Sequence, residues 1–207
     1  PFFRSLPSSF SGAAQQKNTP FAQIVLASDN TPLRAFPDQK HIWRHPVSVK
    51  EVSPRYLEVV LAYEDRWFYW HFGVNPVALL RAGAQWILKG KIISGGSTIS
   101  MQVARMLEPA LNTRSLLGKT KQILRAVQLE MRLSKDEILA LYLTYAPMGG
   151  VLEGVEAASR AYLSKPSLSL SYGEAALLAV LPQAPSLLRP DRFPKKAELA
   201  RNKVLDR

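Results

Sequence analysis

Residues 61–76 read LAYEDRWFYWHFGVNP, and they place two adjacent carboxylates, Glu64 and Asp65, in the densest aromatic cluster of the chain. The whole chain has only 16 acidic residues among 207. An ordinary buried core would use leucine at these positions, and an ordinary solvated surface would not need the aromatic rings. The stretch therefore raises the question of whether the two carboxylates belong to a site.

The residues before and within this cluster predict a helix over 54–68, with Glu64 near its end. Ser53 followed by Pro54 is typical of a helix cap and a first-turn proline. Glu64 lies one turn after Val60, so it would project from the helix end beside apolar rings. Burial there would raise the pKa of Glu64 toward the range of a useful general acid or base. The alternative is a solvent-facing Glu64 that pairs with Arg66 or a nearby lysine.

The neighbours of Glu64 are compatible with more than one role. Asp65 suits a metal ion or a supporting contact, and equally an ion pair with Arg66. His71 suits a helix C-terminus as well as a substrate contact. Phe68 is of a residue type that is more often buried in a core than functional.

A second constellation is GGSTISMQVAR, residues 95–105. In a helix that starts at Ser97, the side chains of Thr98, Gln102 and Arg105 share one face because of their i, i+4, i+7 spacing. A hydroxyl, an amide and a guanidinium near a helix N-terminus suit an anionic phosphate. Plain N-capping with an exposed polar stripe is the alternative interpretation.

The net charge of +11 and the pI near 10.0 point to an anionic partner or to a solvated basic surface. The chain has no Walker-type phosphate loop, zinc-finger spacing or RNP-like aromatic strand, so nucleic acid is disfavoured as a partner. Several basic residues lie in or just before a helix predicted at 118–132. They form either a solvated face or, with Arg105, a pyrophosphate cradle: Arg114, Lys119, Lys121, Arg125 and Arg132.

The rest of the pattern predicts a mainly α fold with a short β element at its N-terminal side. Residues 1–20 are expected to be a linker or chain end, and any membrane anchor to precede them. Residues 21–50 contain two predicted short strands, in FAQIVLA and IWRHPVSV, around a turn-like SDNTP. Residues 51–207 are predicted to form the helical domain, and no apolar run approaches the ~20 residues of a membrane span.

Helix-start signals recur along the helical part. Asn75 and Pro76 predict the start of a helix that Gly90 ends. Ser134 and Ser171 each open a capping box, with a glutamate three residues later. Pro194 predicts the start of a last, basic helix. Cysteine is absent, so no disulfide or thiolate metal site is possible.

Four motifs occur in a fixed order: EDRWFYWHFG at 64–73, GGSTISMQVAR at 95–105, SKDEILALYL at 134–143 and EAALLAVLPQAPS at 174–186. Together they resemble the peptidoglycan glycosyltransferase (family 51) domain of class A penicillin-binding proteins, over roughly residues 40–207. The resemblance implies a lysozyme-like, mainly α fold with a large helical lobe, a smaller membrane-proximal jaw and a cleft between them. It also implies polymerisation of lipid II, the undecaprenyl-pyrophosphate disaccharide-pentapeptide.

The resemblance gives roles to individual residues. Glu64 matches the catalytic base, which deprotonates the 4-hydroxyl of the acceptor GlcNAc for inverting attack on C1 of MurNAc. Undecaprenyl pyrophosphate then leaves, and Arg105 and Lys119 are expected to supply positive charge to it. The other matched positions are Asp65, Phe68, His71 and Gly73 in the first motif, and Ser97, Thr98 and Gln102 in the second.

Two positions depart from the family pattern. Gln122 stands where the family usually has a second glutamate, and Thr144 where it usually has asparagine. An amide can hydrogen-bond phosphate or sugar but cannot ionise, so Gln122 is expected to support catalysis only through hydrogen bonds. Glu64 then acts as the single carboxylate unless Glu130 or Glu137 compensates.

The resemblance also implies cofactors and partners. Mg²⁺ or another divalent cation commonly assists these enzymes, with Asp65 as the candidate ligand, and no organic cofactor is expected. The expected partners are lipid II, the growing lipid-linked glycan, an anionic membrane surface and other cell-wall synthesis proteins, but no nucleic acid. The expected location is the periplasmic side of the bacterial inner membrane. Leucines 107, 111, 116 and 117 would either dip into the bilayer or pack in the core.

Two rival functions stay open on sequence alone. A lysozyme-like lytic hydrolase also uses a helix-borne glutamate on similar sugars, but it has no pyrophosphate to hold. A non-catalytic scaffold that binds lipid II is the second rival. The SxxK signal of a transpeptidase domain is absent, so an isolated transferase domain without acyl-transfer activity is expected.

Overall fold

The computed structural model describes residues 21–28, 32–77, 80, 97–111 and 115–206. Seven α-helices lie wholly within these residues, so the prediction of a mainly α fold is confirmed. None of the helices in this part of the chain combines the length and apolar character that a membrane crossing requires. The helices are α1 Pro54–Glu64, α2 Ile99–Leu107, α3 Leu116–Glu130, α4 Lys135–Tyr145, α5 Val155–Leu163, α6 Tyr172–Val180 and α7 Pro194–Leu205.

Some predicted features lie outside the residues that the structure describes. Pro76 and Val77 are helical, as the proline predicts, but most of the predicted helix up to Gly90 lies outside the described residues. Residues 94–96, which precede the helix predicted from Ser97, and Arg114 also lie outside them. The division into a large lobe and a jaw therefore stays a prediction.

The short strands form two small sheets. Strands β1 (Gln23–Leu26) and β2 (Pro32–Phe36) pair antiparallel, while β3 (Trp43–Arg44) pairs parallel to β5 (Leu152–Glu153), which also pairs with β4 (Pro147–Gly149). The strand that pairs with β1 is thus PLRAF, which was not predicted, while the strand predicted in IWRHPVSV is reduced to the two residues of β3. Proline cannot donate to a strand ladder, and the proline two residues after β3 explains why that strand is so short.

The helix starts follow the sequence signals closely. Pro54 and Pro194 each occupy the first turn of their helix, and both predicted capping boxes are present. The helix predicted from Ser97 instead begins at Ile99, two residues later. Thr98 is its N-cap, and the Thr98 hydroxyl accepts a hydrogen bond from the Met101 amide at 3.2 Å. The helix predicted at 118–132 is α3, which is capped by Ser115 and begins two residues earlier.

Helix α4 is the centre of the core. Its residues 138–144 are all buried, which is typical of a helix surrounded by neighbours rather than lying on a surface. It packs on α2, α3 and α5. Burial of each large apolar side chain contributes about 1.5–3 kcal/mol, so this helix fixes the helices that carry the motifs.

The leucines expected to face either the bilayer or the core differ in their burial. Leu111 is buried in the core, and Leu107 is partly buried against it. Leu117 is 77% exposed. The side chain of Leu116 lies outside the described residues.

Gly73 joins the loop after α1 to α3. Its φ of +76° is in the left-handed region, and a Cβ there would lie 2.9 Å from backbone atoms of Ala126 and Val127. Its carbonyl accepts a 2.6 Å hydrogen bond from the Thr98 hydroxyl. A side chain at this position would thus have to displace either the loop or the helix backbone.

We expect Gly73→Ala to lower the free energy of unfolding by about 1–3 kcal/mol, because it adds both a positive-φ penalty and a backbone clash. The measurement is equilibrium urea denaturation. Gly173→Ala is the matched control, since a Cβ at Gly173 in α6 meets nothing within 4 Å. That change is expected to stabilise by about 0.5–1 kcal/mol. Equal stability of the two variants would contradict the role given to Gly73.

Candidate active site

Glu64 is the last residue of α1, and its carboxylate is held between two amides. Gln102 Nε2 donates to Glu64 Oε2 at 2.7 Å, and Gln183 Nε2 donates to Glu64 Oε1 at 3.3 Å. The side chain is half-buried, as the helical spacing predicts. The alternative, an exposed Glu64 that pairs with Arg66, does not match these contacts.

Burial is the largest influence on the pKa of Glu64. Desolvation raises the pKa of this carboxyl above its usual value, and the charge of Asp65 raises it further. The hydrogen bonds from Gln102 and Gln183 and the positive charge of Arg105 oppose this rise but do not cancel it. A carboxylate with a raised pKa is a stronger base than an ordinary glutamate, which suits proton abstraction from a hydroxyl.

Asp65 joins α1 to α2 and is buried. Its Oδ2 accepts a hydrogen bond from the Ile99 amide at 3.0 Å. His71 Nε2 lies 3.0 Å from Oδ1 and 2.9 Å from Oδ2. Both carboxylate oxygens therefore contact protein donors. These hydrogen bonds match the interpretation of Asp65 as a supporting residue that connects its neighbours.

The surrounding donor set does not fit a divalent cation. A hard cation needs several free oxygens, and those of Asp65 are occupied. Glu64 accepts from two amides, and the side-chain oxygen of Gln122 accepts from Arg105. No group of three Asp, Glu, His or Cys residues that would hold a metal occurs in the part of the chain that the structure describes.

Gln122 uses both ends of its amide to position Arg105. Arg105 Nη1 donates to Gln122 Oε1 at 3.2 Å, while Gln122 Nε2 donates to the Leu111 carbonyl at 2.6 Å. Gln122 is 4% exposed. A glutamate here would place a carboxylate oxygen against the Leu111 carbonyl. Only an amide can both accept from Arg105 and donate to the Leu111 carbonyl in this way.

Arg105 lies near both Glu64 and Lys119, and its charge acts on each of them. Burial lowers the pKa of both Arg105 and Lys119, and the nearby Arg105 charge lowers that of Lys119 further. Lys119 Nζ donates to the Ser97 hydroxyl at 2.6 Å. An arginine stays charged throughout the physiological range. Two half-buried cations held close together form a favourable site for an anion.

The remaining motif residues support the site without entering it. Thr98 is 2% exposed and caps α2, the capping alternative considered for it. Phe68 is in the core, and Lys135 Nζ lies 4.6 Å from its ring centroid. Lys135 also donates to the His71 carbonyl at 2.6 Å. Together with Gly73, these residues hold the loop that follows Glu64.

The two glutamates considered as substitutes for a second acid are engaged elsewhere. Glu130 accepts hydrogen bonds from Ser100 Oγ at 2.5 Å and from Lys135 Nζ at 2.7 Å. Glu137 caps α4 through Ser134. Neither of these hydrogen-bonding patterns includes the two glutamine amides that hold Glu64.

Sequence reasoning missed Gln183, the second amide at Glu64. It lies in the fourth motif, LPQAPS, 119 positions after Glu64. The only signal for it in the sequence was its place in a motif. No spacing rule connects it to α1.

Comparison with known proteins gives a consistent family. The chain is 59% identical over 186 residues to penicillin-binding protein 1C of Escherichia coli K12, covering 90% of this chain and 24% of that protein. It is 40% identical over 164 residues to penicillin-binding protein 1A of Pseudomonas aeruginosa, covering 79% of this chain and 20% of that protein. A crystal structure of penicillin-binding protein 1A from Haemophilus influenzae aligns with 90% of this chain and 18% of its own, at 20% identity and a TM-score of 0.44.

The chain thus spans about a quarter or less of the length of these relatives. The family model described as Transglycosylase matches residues 29–207, nearly the whole chain. The chain therefore belongs to the transglycosylase family of the class A penicillin-binding proteins.

Proposed function

We propose that this domain is a peptidoglycan glycosyltransferase that polymerises lipid II into glycan strands. The observation that carries the proposal is the pairing of a half-buried Glu64 of raised pKa with the Arg105–Lys119 cation pair. A base and an anion site are the two things that the transfer of a sugar from a pyrophosphate requires. The family membership supports the same chemistry.

In this scheme Glu64 accepts the proton of the acceptor GlcNAc 4-hydroxyl. The oxygen forms a bond to C1 of MurNAc as the bond from C1 to the pyrophosphate oxygen breaks, with inversion at C1. The electron pair leaves on undecaprenyl pyrophosphate, whose charge Arg105 and Lys119 stabilise. Gln102 holds Glu64 in place, and Gln122 holds Arg105 in place.

The cation pair favours transfer over the rival hydrolysis. A lytic enzyme of lysozyme type cleaves between sugars and has no anionic leaving group, so two desolvated cations beside its glutamate would serve no purpose. Similarly, a scaffold that only binds lipid II would have no need of a carboxylate with a raised pKa.

We further propose that the domain works at the outer face of the bacterial inner membrane, with lipid II, the growing lipid-linked glycan and other cell-wall synthesis proteins as partners. The net charge of +11 suits an anionic bilayer surface. In this proposal the exposed Leu117 contacts that surface.

Glu64→Gln is expected to lower the rate of polymerisation of labelled lipid II by on the order of 10²–10⁴-fold, because the amide cannot accept the proton. Glu198→Gln, on an exposed side chain of α7, is the matched control and should retain full activity. Polymerisation that survives Glu64→Gln would overturn the assignment of the base. Shortening of preformed glycan by the wild type would favour the hydrolase, and binding without extension would favour the scaffold.

The pH profile of kcat/KM should fall on the acid side with an apparent pKa above that of an ordinary glutamate. The base works only when ionised, and burial raises the pKa of Glu64. Arg105→Met should move this acid limb to higher pH, because it removes a charge that lowers that pKa, and should also reduce kcat. Arg55→Met, on an exposed residue of α1, is the control and should leave the limb unmoved. A limb that stays in place in Arg105→Met would contradict the coupling.

We propose that Asp65 supports the fold and does not ligate Mg²⁺. Asp65→Asn should lower the free energy of unfolding by about 1–3 kcal/mol, because an amide cannot accept from Ile99 and His71 in the same way. Addition of Mg²⁺ should leave the melting temperature of the wild type unchanged. The control is Asp136→Asn, an exposed residue, which should be close to neutral. If Mg²⁺ stabilises the wild type but not Asp65→Asn, Asp65 is a metal ligand after all.

A further inference from the structure

Gln183 makes two hydrogen bonds that connect the end of α1 to the far end of the chain. Its Nε2 donates to Glu64 Oε1 at 3.3 Å, and its Oε1 accepts from the Tyr63 hydroxyl at 2.8 Å. On the other side of the carboxylate, Gln102 donates to Oε2. The carboxylate is therefore held at both oxygens, by donors from two separate elements.

The Glu64 carboxylate fixes which end of the Gln183 amide faces it, because an ionised carboxylate can only accept hydrogen bonds. A glutamine amide can rotate by half a turn, which would exchange its oxygen and its nitrogen. With the tyrosine hydroxyl donating to Oε1, Nε2 is the atom that is left to face the carboxylate. The rotated amide would instead place its oxygen against an ionised carboxylate, which is repulsive.

The backbone that carries Gln183 is rigid. Gln183 ends a 3₁₀ turn, Leu181–Gln183, that follows α6 directly. Leu181 is fully buried, and Pro182 has a restricted backbone. The Ala184 amide closes the turn on the Leu181 carbonyl at 3.1 Å. The amide of Gln183 is thus presented from a fixed point and not from a loop.

We propose that Gln183, oriented by Tyr63, is a positioning residue for Glu64 that fixes the plane of the carboxylate toward the acceptor hydroxyl. This inference deepens the proposed function and rests on it for its catalytic meaning. One hydrogen bond leaves a carboxylate free to rotate about its last torsion, whereas two from opposite sides do not. A base that must take a proton from a weakly nucleophilic hydroxyl gains from such fixed geometry.

The hydrogen bond from Gln183 also affects the pKa of Glu64. A hydrogen bond to the charged form of a carboxyl favours that form, and the bond from Gln183 lowers the pKa of Glu64 against the effect of burial. Loss of the bond should therefore raise the pKa of Glu64. A residue that served only to fill space would leave that pKa where it is.

The test is Gln183→Met, which keeps the length of the side chain but removes the amide. We expect kcat for lipid II polymerisation to fall by roughly ten- to a hundred-fold with little change in KM, and the acid limb to move to higher pH. Tyr63→Phe should change both in the same direction but less, because it only releases the amide. Gln183→Glu should raise the pKa of Glu64 most, since it places a second carboxylate there. Gln128→Met, on an exposed face of α3, is the matched control and should match the wild type.

Titration of the Glu64 carboxyl carbon by ¹³C NMR, assigned with Glu64→Gln, gives a readout that does not need activity. If the wild type fails to polymerise lipid II but the carboxyl pKa rises in Gln183→Met, the proposed function fails and the contact stands. If the wild type polymerises and Gln183→Met leaves kcat, the acid limb and the titration unchanged, the positioning role is overturned. Should Gln183→Met not fold, the titration of Tyr63→Phe decides: an unchanged pKa overturns the role, and a raised one supports it.

Discussion

The buried carboxylate of Asp65 is the contact on which the site depends. It follows the last residue of α1 directly and accepts from the first amide of α2. An acceptor at that amide also uses the positive end of the α2 dipole, so the contact is favourable twice over. Because Glu64 is one residue earlier and Gln102 lies within α2, this one carboxylate sets the distance between the base and its first amide. The two adjacent acids thus have different roles. Asp65 connects α1 to α2, and Glu64 is only half-buried.

The second constraint is electrostatic. A base of raised pKa and two cations are half-buried here, although one of the cations, Arg105, lowers the pKa of the base. Burial is the larger effect on Glu64, so its pKa stays raised. The amide at Gln122 fits this balance. A carboxylate there would neutralise Arg105, whereas the amide orients Arg105 and leaves its charge available.

Local sequence signals predicted the local parts of this arrangement well. Ser53–Pro54 and the capping boxes at Ser134 and Ser171 predicted helix starts, because capping depends on residues within one turn. Glu64 was predicted near the end of a helix over 54–68, whereas α1 ends at Glu64 itself, four residues earlier. The cap of α2 was predicted at Ser97 instead of Thr98, since adjacent hydroxyl residues compete for one role and the choice depends on a distant carbonyl, that of Gly73.

What the sequence could not predict are the contacts across long separations. Strand β1 pairs with PLRAF, and the short β3 joins a sheet formed with residues more than 100 positions later, a register that no local pattern specifies. Gln122 was expected to support catalysis through hydrogen bonds, but its two partners, Arg105 and the Leu111 carbonyl, could not be named from the sequence. Gln183 was not singled out at all. In each case the deciding partner is a group whose position depends on the packing of the whole domain.

The surroundings of Glu64 show how its burial is achieved. Tyr56 lies two helical turns before it on the same face of α1, and Tyr142 lies on the central helix α4. Both rings are fully buried, and within the described residues neither hydroxyl has a hydrogen-bond partner. Burial and the charge of Glu64 raise the pKa of both tyrosines, so they remain neutral. Because both buried rings lie close enough to respond to the charge of Glu64, the surroundings that keep them neutral also desolvate the base and raise its pKa.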